Sequence, residues 1–229
     1  MLEIPNNLIN TIIFDMDGLM IDTEPIAERA WKKTFKDLGY TLSDELNRRM
    51  IGRNVPDSNK IVRDAMGADF PIEHCRKQAN ELYTTLLDTE GIPLKEGLVE
   101  LLDFLRENSL AMAVATSTPR FLALHKLTLT SLASHFTTIV AGDDVALGKP
   151  APDLFLAAAR LVGTTPDRCV VLEDSPAGIR AGHAAGMVSI MVPDLIEPNE
   201  EITKLAFAVV PTLKEAQGVI EELLRNGSV

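Results

Sequence analysis

Six short apolar segments, rich in β-branched residues and bounded by polar turns, constrain the fold most strongly. They span residues 9–14, 110–115, 137–141, 169–172, 188–192 and 207–210. Runs of this length and composition predict buried strands. Stretches with helical spacing separate most of them, and strands that alternate with helices predict a parallel sheet covered on both faces. The sequence therefore predicts an α/β fold with a doubly wound parallel sheet.

Residues 22–90 do not follow this alternation, because they contain no convincing strand. Apolar residues there recur at helical spacing, first over residues 27–38 and again over residues 72–87. We therefore expect an all-helical domain over residues 22–90, inserted after the first strand. The α/β core would comprise residues 1–21 and 91–229.

Three hydroxyl–proline pairs predict helix starts in the core, with the hydroxyl as the cap and proline as the first helical residue. These pairs are Thr118-Pro119, Thr165-Pro166 and Ser175-Pro176. Two glycines, Gly163 and Gly186, stand where helices should end.

Charge and composition exclude several classes of protein. The formal net charge is −11, which disfavours nucleic acid as the main partner. No basic segment precedes an apolar stretch at the N-terminus, and no run approaches the roughly 18 apolar residues that a membrane span requires. The two cysteines, Cys75 and Cys169, lack a metal-type spacing and are expected to be reduced and buried. We expect a cytoplasmic protein, monomeric by default, that binds neither nucleic acid nor membranes.

Four polar clusters each follow a predicted strand of the core. The first is Asp15-Met16-Asp17-Gly18, in which one carboxylate can attack while the other handles a proton. Taken alone, it also fits a simple turn at a strand end. The second is Thr116-Ser117-Thr118-Pro119, which fits either a phosphate site at a helix start or capping by Thr118 alone.

The other two clusters carry a lysine and an acidic pair. Lys149 lies between Gly148 and two prolines, and it is either a positioned cation or a solvated loop residue. Glu173 and Asp174 follow a buried strand, where two adjacent acids need a counter-charge that a hard divalent cation would supply. Alternatively, one acid is solvated and the other caps the next helix. Because ligands bind at the carboxyl ends of parallel strands, the four clusters are expected to meet.

In order and spacing, the four clusters together resemble the haloacid dehalogenase-like superfamily. Asp174-Ser175-Pro176-Ala177-Gly178 and Gly148-Lys149-Pro150 are similar to the β-phosphoglucomutase-like branch. The resemblance covers essentially the whole chain and implies that the inserted helical domain is a cap. It implies a phosphatase that hydrolyses the phosphate monoester of a small metabolite.

The resemblance also implies roles for individual residues. Asp15 would be the nucleophile that forms an aspartyl-phosphate, and Asp17 the general acid and then the general base, with a raised pKa. Mg²⁺ would be held by the carboxylates of Asp15 and Asp174 and the backbone carbonyl of Asp17, with Glu173 bound directly or through water. Thr116 and Lys149 would hold the phosphoryl oxygens, with help from the backbone N–H groups of Met16, Asp17 and Ser117.

Residues of the cap would choose the substrate, and Glu24, Arg53 and Asn54 are the candidates. A sugar-phosphate mutase is the alternative reading. It is disfavoured because Ala27 and Val55 stand where such mutases carry a histidine and an arginine, although Arg53, two residues from Val55, is an alternative source of the arginine. His183, on the helix after Ser175-Pro176, is expected to be a packing or surface residue.

A response-regulator receiver is a non-enzyme alternative, since it also combines aspartate, a hydroxyl residue and lysine with Mg²⁺. In receivers, however, the acidic pair comes first and the lysine last. Here Lys149 precedes Glu173 and Asp174, and the chain is too long.

Overall fold

A computed structural model of the chain describes residues 9–51 and 55–226. Its six strands form one parallel sheet in the order β3-β2-β1-β4-β5-β6. The strands are β1 (Thr11–Phe14), β2 (Ala111–Ala115), β3 (Thr138–Val140), β4 (Cys169–Glu173), β5 (Val188–Met191) and β6 (Ala208–Val209). Each lies within, or within one residue of, a predicted strand, so the prediction of a parallel α/β sheet is confirmed.

The strand order reverses direction between β1 and β4. The chain runs outward from β1 through β2 to β3, then crosses back so that β4 pairs with the other side of β1. Phe14 of β1 is in register with Leu172 of β4. The residues that follow these two strands therefore emerge side by side at the position where open α/β sheets bind their ligands.

Helices cover both faces of the sheet, because alternate residues of each strand point to opposite sides. Ile12 and Phe14 belong to an apolar cluster with α5 (Leu98–Glu107), α6 (Arg120–Leu129) and α10 (Leu213–Asn226). Ile13 packs with α7 (Asp153–Val162) and α8 (Pro176–Ala184) on the other face. The remaining core helix, α9 (Glu200–Leu205), packs with Ile179 and Met191.

The described chain divides into two compact units. One comprises the chain up to Asp22 together with the chain from Ile92 onward, and the other is Thr23–Gly91. The second unit contains α1 (Glu24–Asp37), α2 (Asp44–Met50), α3 (Val55–Met66) and α4 (Ile72–Glu90). It has its own apolar cluster, which includes Phe35, Phe70 and Ile72.

The two ends of the insertion are tied together inside the core unit. The backbone N–H of Asp22 donates to the carbonyl of Pro93 at 2.9 Å. Lys95 then pairs with Asp22 at 3.3 Å and with Asp194, beyond β5, at 2.7 Å. These contacts fix the points at which the chain leaves the core and returns to it.

The helix starts agree with the sequence in part. Ser175 caps α8 by accepting from the N–H of Gly178, and Pro176 is the first helical residue, as predicted. The pair Thr165-Pro166 starts only a short 3₁₀ helix (Pro166–Arg168) with no side-chain cap. The prediction for Thr118-Pro119 is wrong, since α6 begins at Arg120 and Thr118 bonds elsewhere.

Both cysteines are buried and free, as expected, and burial raises the pKa of the Cys75 thiol to about 11 and that of Cys169 to about 12. Within residues 9–51 and 55–226, none of the helices combines the length and apolar character needed to cross a bilayer.

Candidate active site

A tight turn at the end of β1 presents Asp15 and Asp17. The N–H of Asp15 still donates to the Leu172 carbonyl at 3.0 Å, so this residue remains tied to β4. The chain then turns sharply at Gly18, whose φ of +86° is accessible to glycine at little cost. A Cβ atom at Gly18 would collide with the carboxylate of Asp174. The turn of the first cluster and the late acidic pair therefore lie together.

Lys149 is held between two acids rather than solvated. Its ammonium donates to Oδ1 of Asp15 and, at 2.6 Å, to Oε1 of Glu173. Only 5% of its side chain is exposed, and Nζ lies 4.9 Å from the ring centroid of Phe155. The reading of Lys149 as a solvated loop residue is therefore wrong.

Glu173 is fixed by donors on both of its oxygens. Its Oε1 accepts from Lys149, and its Oε2 accepts from the N–H and the hydroxyl of Ser175 at 2.7 and 2.9 Å. The helix cap is Ser175, so neither acid of the pair caps α8 with its side chain. Glu173 is 1% exposed, which excludes the reading in which it is the solvated acid.

Asp15, Glu173 and Asp174 form a cluster that suits a metal ion. Each offers a carboxylate oxygen, and these oxygens lie within 4.8 Å of one another. Lys149 contacts two of the three acids, so their ionised forms would leave a charge of about two negative units. Oxygen ligands and this charge suit a hard divalent cation such as Mg²⁺. The residues present therefore fit the predicted metal.

The pKa shifts in the cluster reflect the same excess of negative charge. Burial raises the pKa of Asp15 to about 7; the charges of Glu173 and Asp17 add to this rise, and Lys149 opposes it. Burial likewise holds the pKa of Asp174 well above its ordinary value, with Glu173 and Asp15 contributing. Burial lowers the pKa of Lys149, but its pairs with Asp15 and Glu173 outweigh that effect and raise it. Without a cation, the cluster disfavours full ionisation of its carboxylates.

The residues after β2 contribute hydroxyl groups to the same end of the sheet. Thr116 is 2% exposed, and its Oγ1 accepts from the N–H of Thr118 at 3.1 Å. Ser117 is exposed. Thr118 Oγ1 donates to Oδ2 of Asp17 at 2.7 Å, so the reading of Thr118 as a simple helix cap is wrong.

Lys126 is a site residue that the sequence analysis missed. It lies on α6 with 3% exposure, and its Nζ donates to Oδ1 of Asp17 at 2.6 Å. In the sequence it occupies one polar position in a helical stretch, which is typical of a solvated surface lysine. The one available signal was its position three residues after Ala123, which is buried on the same face of the helix.

The candidate specificity residues belong to the helical unit. Glu24 is the first residue of α1, and Arg53 and Asn54 lie outside the described residues. Their role in substrate choice stays a prediction. His183 is exposed in the last turn of α8, in agreement with the expected surface role.

Gly178→Ala, in α8, is expected to displace the carboxylate of Glu173. A Cβ atom at Gly178 would overlap the carboxylate of Glu173, which cannot move without leaving Lys149 or Ser175. We expect the free energy of unfolding to fall by about 2–3 kcal/mol, together with a loss of Mg²⁺ affinity. Urea unfolding and calorimetric Mg²⁺ titration measure the two effects. Gly218→Ala in α10, where a Cβ meets nothing within 4 Å, is the matched control; equal effects would contradict the clash.

Comparison with known proteins agrees with this fold and site. The family model of the haloacid dehalogenase-like hydrolases matches residues 12–192. The chain belongs to this family, and its β-phosphoglucomutase-like branch, predicted from the motifs, is confirmed.

Curated relatives and a solved structure extend the match over most of the chain. The phosphorylated carbohydrates phosphatase of Thermotoga maritima is 31% identical, covering 93% of this chain and 99% of that protein. Fructose-1-phosphate phosphatase YqaB of Escherichia coli is 32% identical, covering 79% and 95%. The crystal structure of CbbY from Rhodobacter sphaeroides in complex with phosphate has a TM-score of 0.77 at 29% identity, covering 91% and 96%. The predicted enzyme class, a phosphatase of this family, is confirmed.

Proposed function

We propose that the protein is a Mg²⁺-dependent phosphatase that hydrolyses the phosphate monoester of a small metabolite through an aspartyl-phosphate. The observation that carries the proposal is the buried arrangement at the ends of β1 and β4. There Asp15 shares Lys149 with Glu173 and lies within ligand distance of Asp174. Such a cluster can accept a cation and can direct one carboxylate at phosphorus.

In the proposed reaction an oxygen of Asp15 bonds to phosphorus while the bond from phosphorus to the ester oxygen breaks. Asp17 delivers a proton to the departing oxygen and becomes a carboxylate. It then takes a proton from water as that water attacks phosphorus, and the bond to Asp15 breaks to release inorganic phosphate. Atoms and protons balance over the two steps, and Asp17 ends in its starting form.

Cations are required because the substrate brings negative charge to a site that already holds three acids. Mg²⁺ would be bound by the carboxylates of Asp15 and Asp174 and the backbone carbonyl of Asp17, with Glu173 directly or through water. It would offset the charge of the phosphoryl group during transfer. Lys149, with the Thr116 side chain and the Ser117 backbone, would hold the phosphoryl oxygens.

A sugar phosphate or a similar small phosphometabolite is the proposed substrate class. Two of the relatives are named as phosphatases of phosphorylated carbohydrates and of fructose 1-phosphate. We propose that the helical unit acts as a cap over the site and that Glu24, Arg53 and Asn54 select the substrate. We expect a cytoplasmic monomer without nucleic-acid or membrane partners.

The mutase alternative finds less support. Ala27 lies on α1 and Val55 opens α3, at the positions where mutases of this branch carry a histidine and an arginine. Neither side chain can donate a hydrogen bond to a sugar phosphate. Hydrolysis needs neither contact.

A substrate panel of sugar phosphates, polyol phosphates and nucleotides tests the proposal. We expect Mg²⁺-dependent release of inorganic phosphate from one or more members and none in the presence of EDTA. Isomerised sugar phosphate without release would favour the mutase. No turnover of any monoester with Mg²⁺ present would refute both.

A further inference from the structure

Lys126 places a cation on the buried face of α6. Its side chain is 4% exposed, whereas lysine is almost never fully buried unless it is paired. Desolvating an ammonium costs several kcal/mol, so a partner must offset the cost. The carboxylate of Asp17, 2.6 Å away, meets this requirement across 109 positions of sequence.

Both oxygens of Asp17 are held from the region that follows β2. Lys126 donates to Oδ1, and Thr118 donates to Oδ2 at 2.7 Å. Two donors on the two oxygens fix the carboxylate in position and in rotation, which one donor cannot do.

The ion pair also allows two acids to lie close together. Asp17 is near enough to Asp15 for its charge to act on that carboxyl group. A cation bonded to Asp17 offsets part of this repulsion, and Lys149 does the same for Asp15. Each acid of the first cluster is therefore paired with a different buried lysine.

We propose that Lys126 is a positioning residue that, together with Thr118, holds Asp17 in the orientation needed to pass a proton to the departing ester oxygen. This inference rests on the proposed function, in which Asp17 is the general acid and then the general base. Lys126 itself does not touch the substrate.

If Lys126 positions the general acid, the loss of rate in a Lys126 variant should depend on the leaving group of the substrate. An alkoxide from a sugar or polyol phosphate leaves slowly without a proton, whereas 4-nitrophenolate leaves readily without one. A misplaced Asp17 therefore penalises alkyl esters and largely spares 4-nitrophenyl phosphate. A general packing defect would slow both substrates by the same factor.

The experiment compares kcat/KM of Lys126→Met on an alkyl monoester of the panel and on 4-nitrophenyl phosphate, both with saturating Mg²⁺. We expect about a 100-fold loss on the alkyl ester, within the range of general acid catalysis, and less than a 10-fold loss on the aryl ester. Lys126→Arg retains the charge and should recover part of the alkyl activity. Lys204→Met, an exposed lysine of the same unit, should leave both values unchanged.

The outcomes separate this inference from the proposed function. If the wild-type protein releases no phosphate from any monoester, the proposed function has failed. If the wild type is active and Lys126→Met loses the same factor on both esters, or loses nothing, the positioning role is overturned. Asp17→Asn should show the same leaving-group pattern with larger losses, and a different pattern in that variant would also overturn the inference.

Discussion

Asp15→Asn is expected to abolish phosphate release and, in metal-free protein at pH 8, to raise the unfolding temperature. The loss of activity should reach at least about 10⁴-fold, because removing a nucleophile typically eliminates most of the catalytic advantage. The gain in stability arises because Asp15 is a buried carboxyl group beside other acids, and asparagine has nearly the same shape without the charge.

The pH dependence of this gain follows from the pKa of Asp15. The pKa is about 7 in the folded metal-free protein and about 4 in an unfolded chain. Between these values the folded protein binds the proton more tightly, so its stability falls as the pH rises through this window. The wild type should therefore lose stability from pH 5 to pH 8, and Asp15→Asn should lose less. Thermal unfolding in EDTA at both pH values measures the difference.

Adding Mg²⁺ at pH 8 should make the wild type more stable than Asp15→Asn. The wild type gains stability from Mg²⁺ at pH 8, because binding to the folded state adds RT ln(1 + [Mg²⁺]/Kd) to the free energy of unfolding, and Asp15→Asn has lost a ligand. Asp103→Asn, a half-exposed acid on α5, controls for the substitution itself. Activity retained by Asp15→Asn would contradict this account. So would an unfolding temperature that depends on pH equally in the wild type and in Asp15→Asn.

Lys149→Met is expected to cost both activity and stability. The substitution leaves Asp15 and Glu173 without their shared cation, and removing one partner of a buried pair typically costs about 3–5 kcal/mol. If Lys149 holds the phosphoryl oxygens as proposed, its loss should lower kcat by about 10³-fold. Urea unfolding and steady-state kinetics on the same preparation measure the two effects.

The stability cost of Lys149→Met should shrink at low pH. At pH 5 Asp15 is largely protonated in the folded metal-free protein, so less uncompensated charge remains. Lys149→Arg retains the cation and should lose less stability than the methionine variant. An unchanged free energy of unfolding in Lys149→Met at pH 8 would show that the ion pairs do not contribute as described.

Local patterns predicted the sheet well because buried parallel strands carry a strong signal. The run over residues 169–172 is continuous and apolar, and the structure contains β4 there, extended by one residue to Glu173. Convergence of the four polar clusters also followed from general rules, since parallel strands bring their carboxyl ends to one edge. Asp15, Lys149, Glu173 and Asp174 meet there as expected.

Side-chain partners across long sequence separations could not be predicted in the same way. Thr118 has the local pattern of a helix cap, yet a carboxylate 101 residues away accepts a hydrogen bond from its hydroxyl group. Lys126 resembles a surface lysine until α6 is placed against the sheet. In both cases tertiary packing, which no local pattern encodes, decides the hydrogen-bond partner.

The hydrogen bond between Asp22 and Pro93 has a consequence for the tolerance of insertions. Because the outgoing and returning chain are hydrogen-bonded side by side within the core unit, contacts of that unit hold the two ends of the insertion together. An insertion at this junction adds only a slowly growing closure entropy as it lengthens. We therefore expect this junction to tolerate inserts of different length with little effect on the stability of the core.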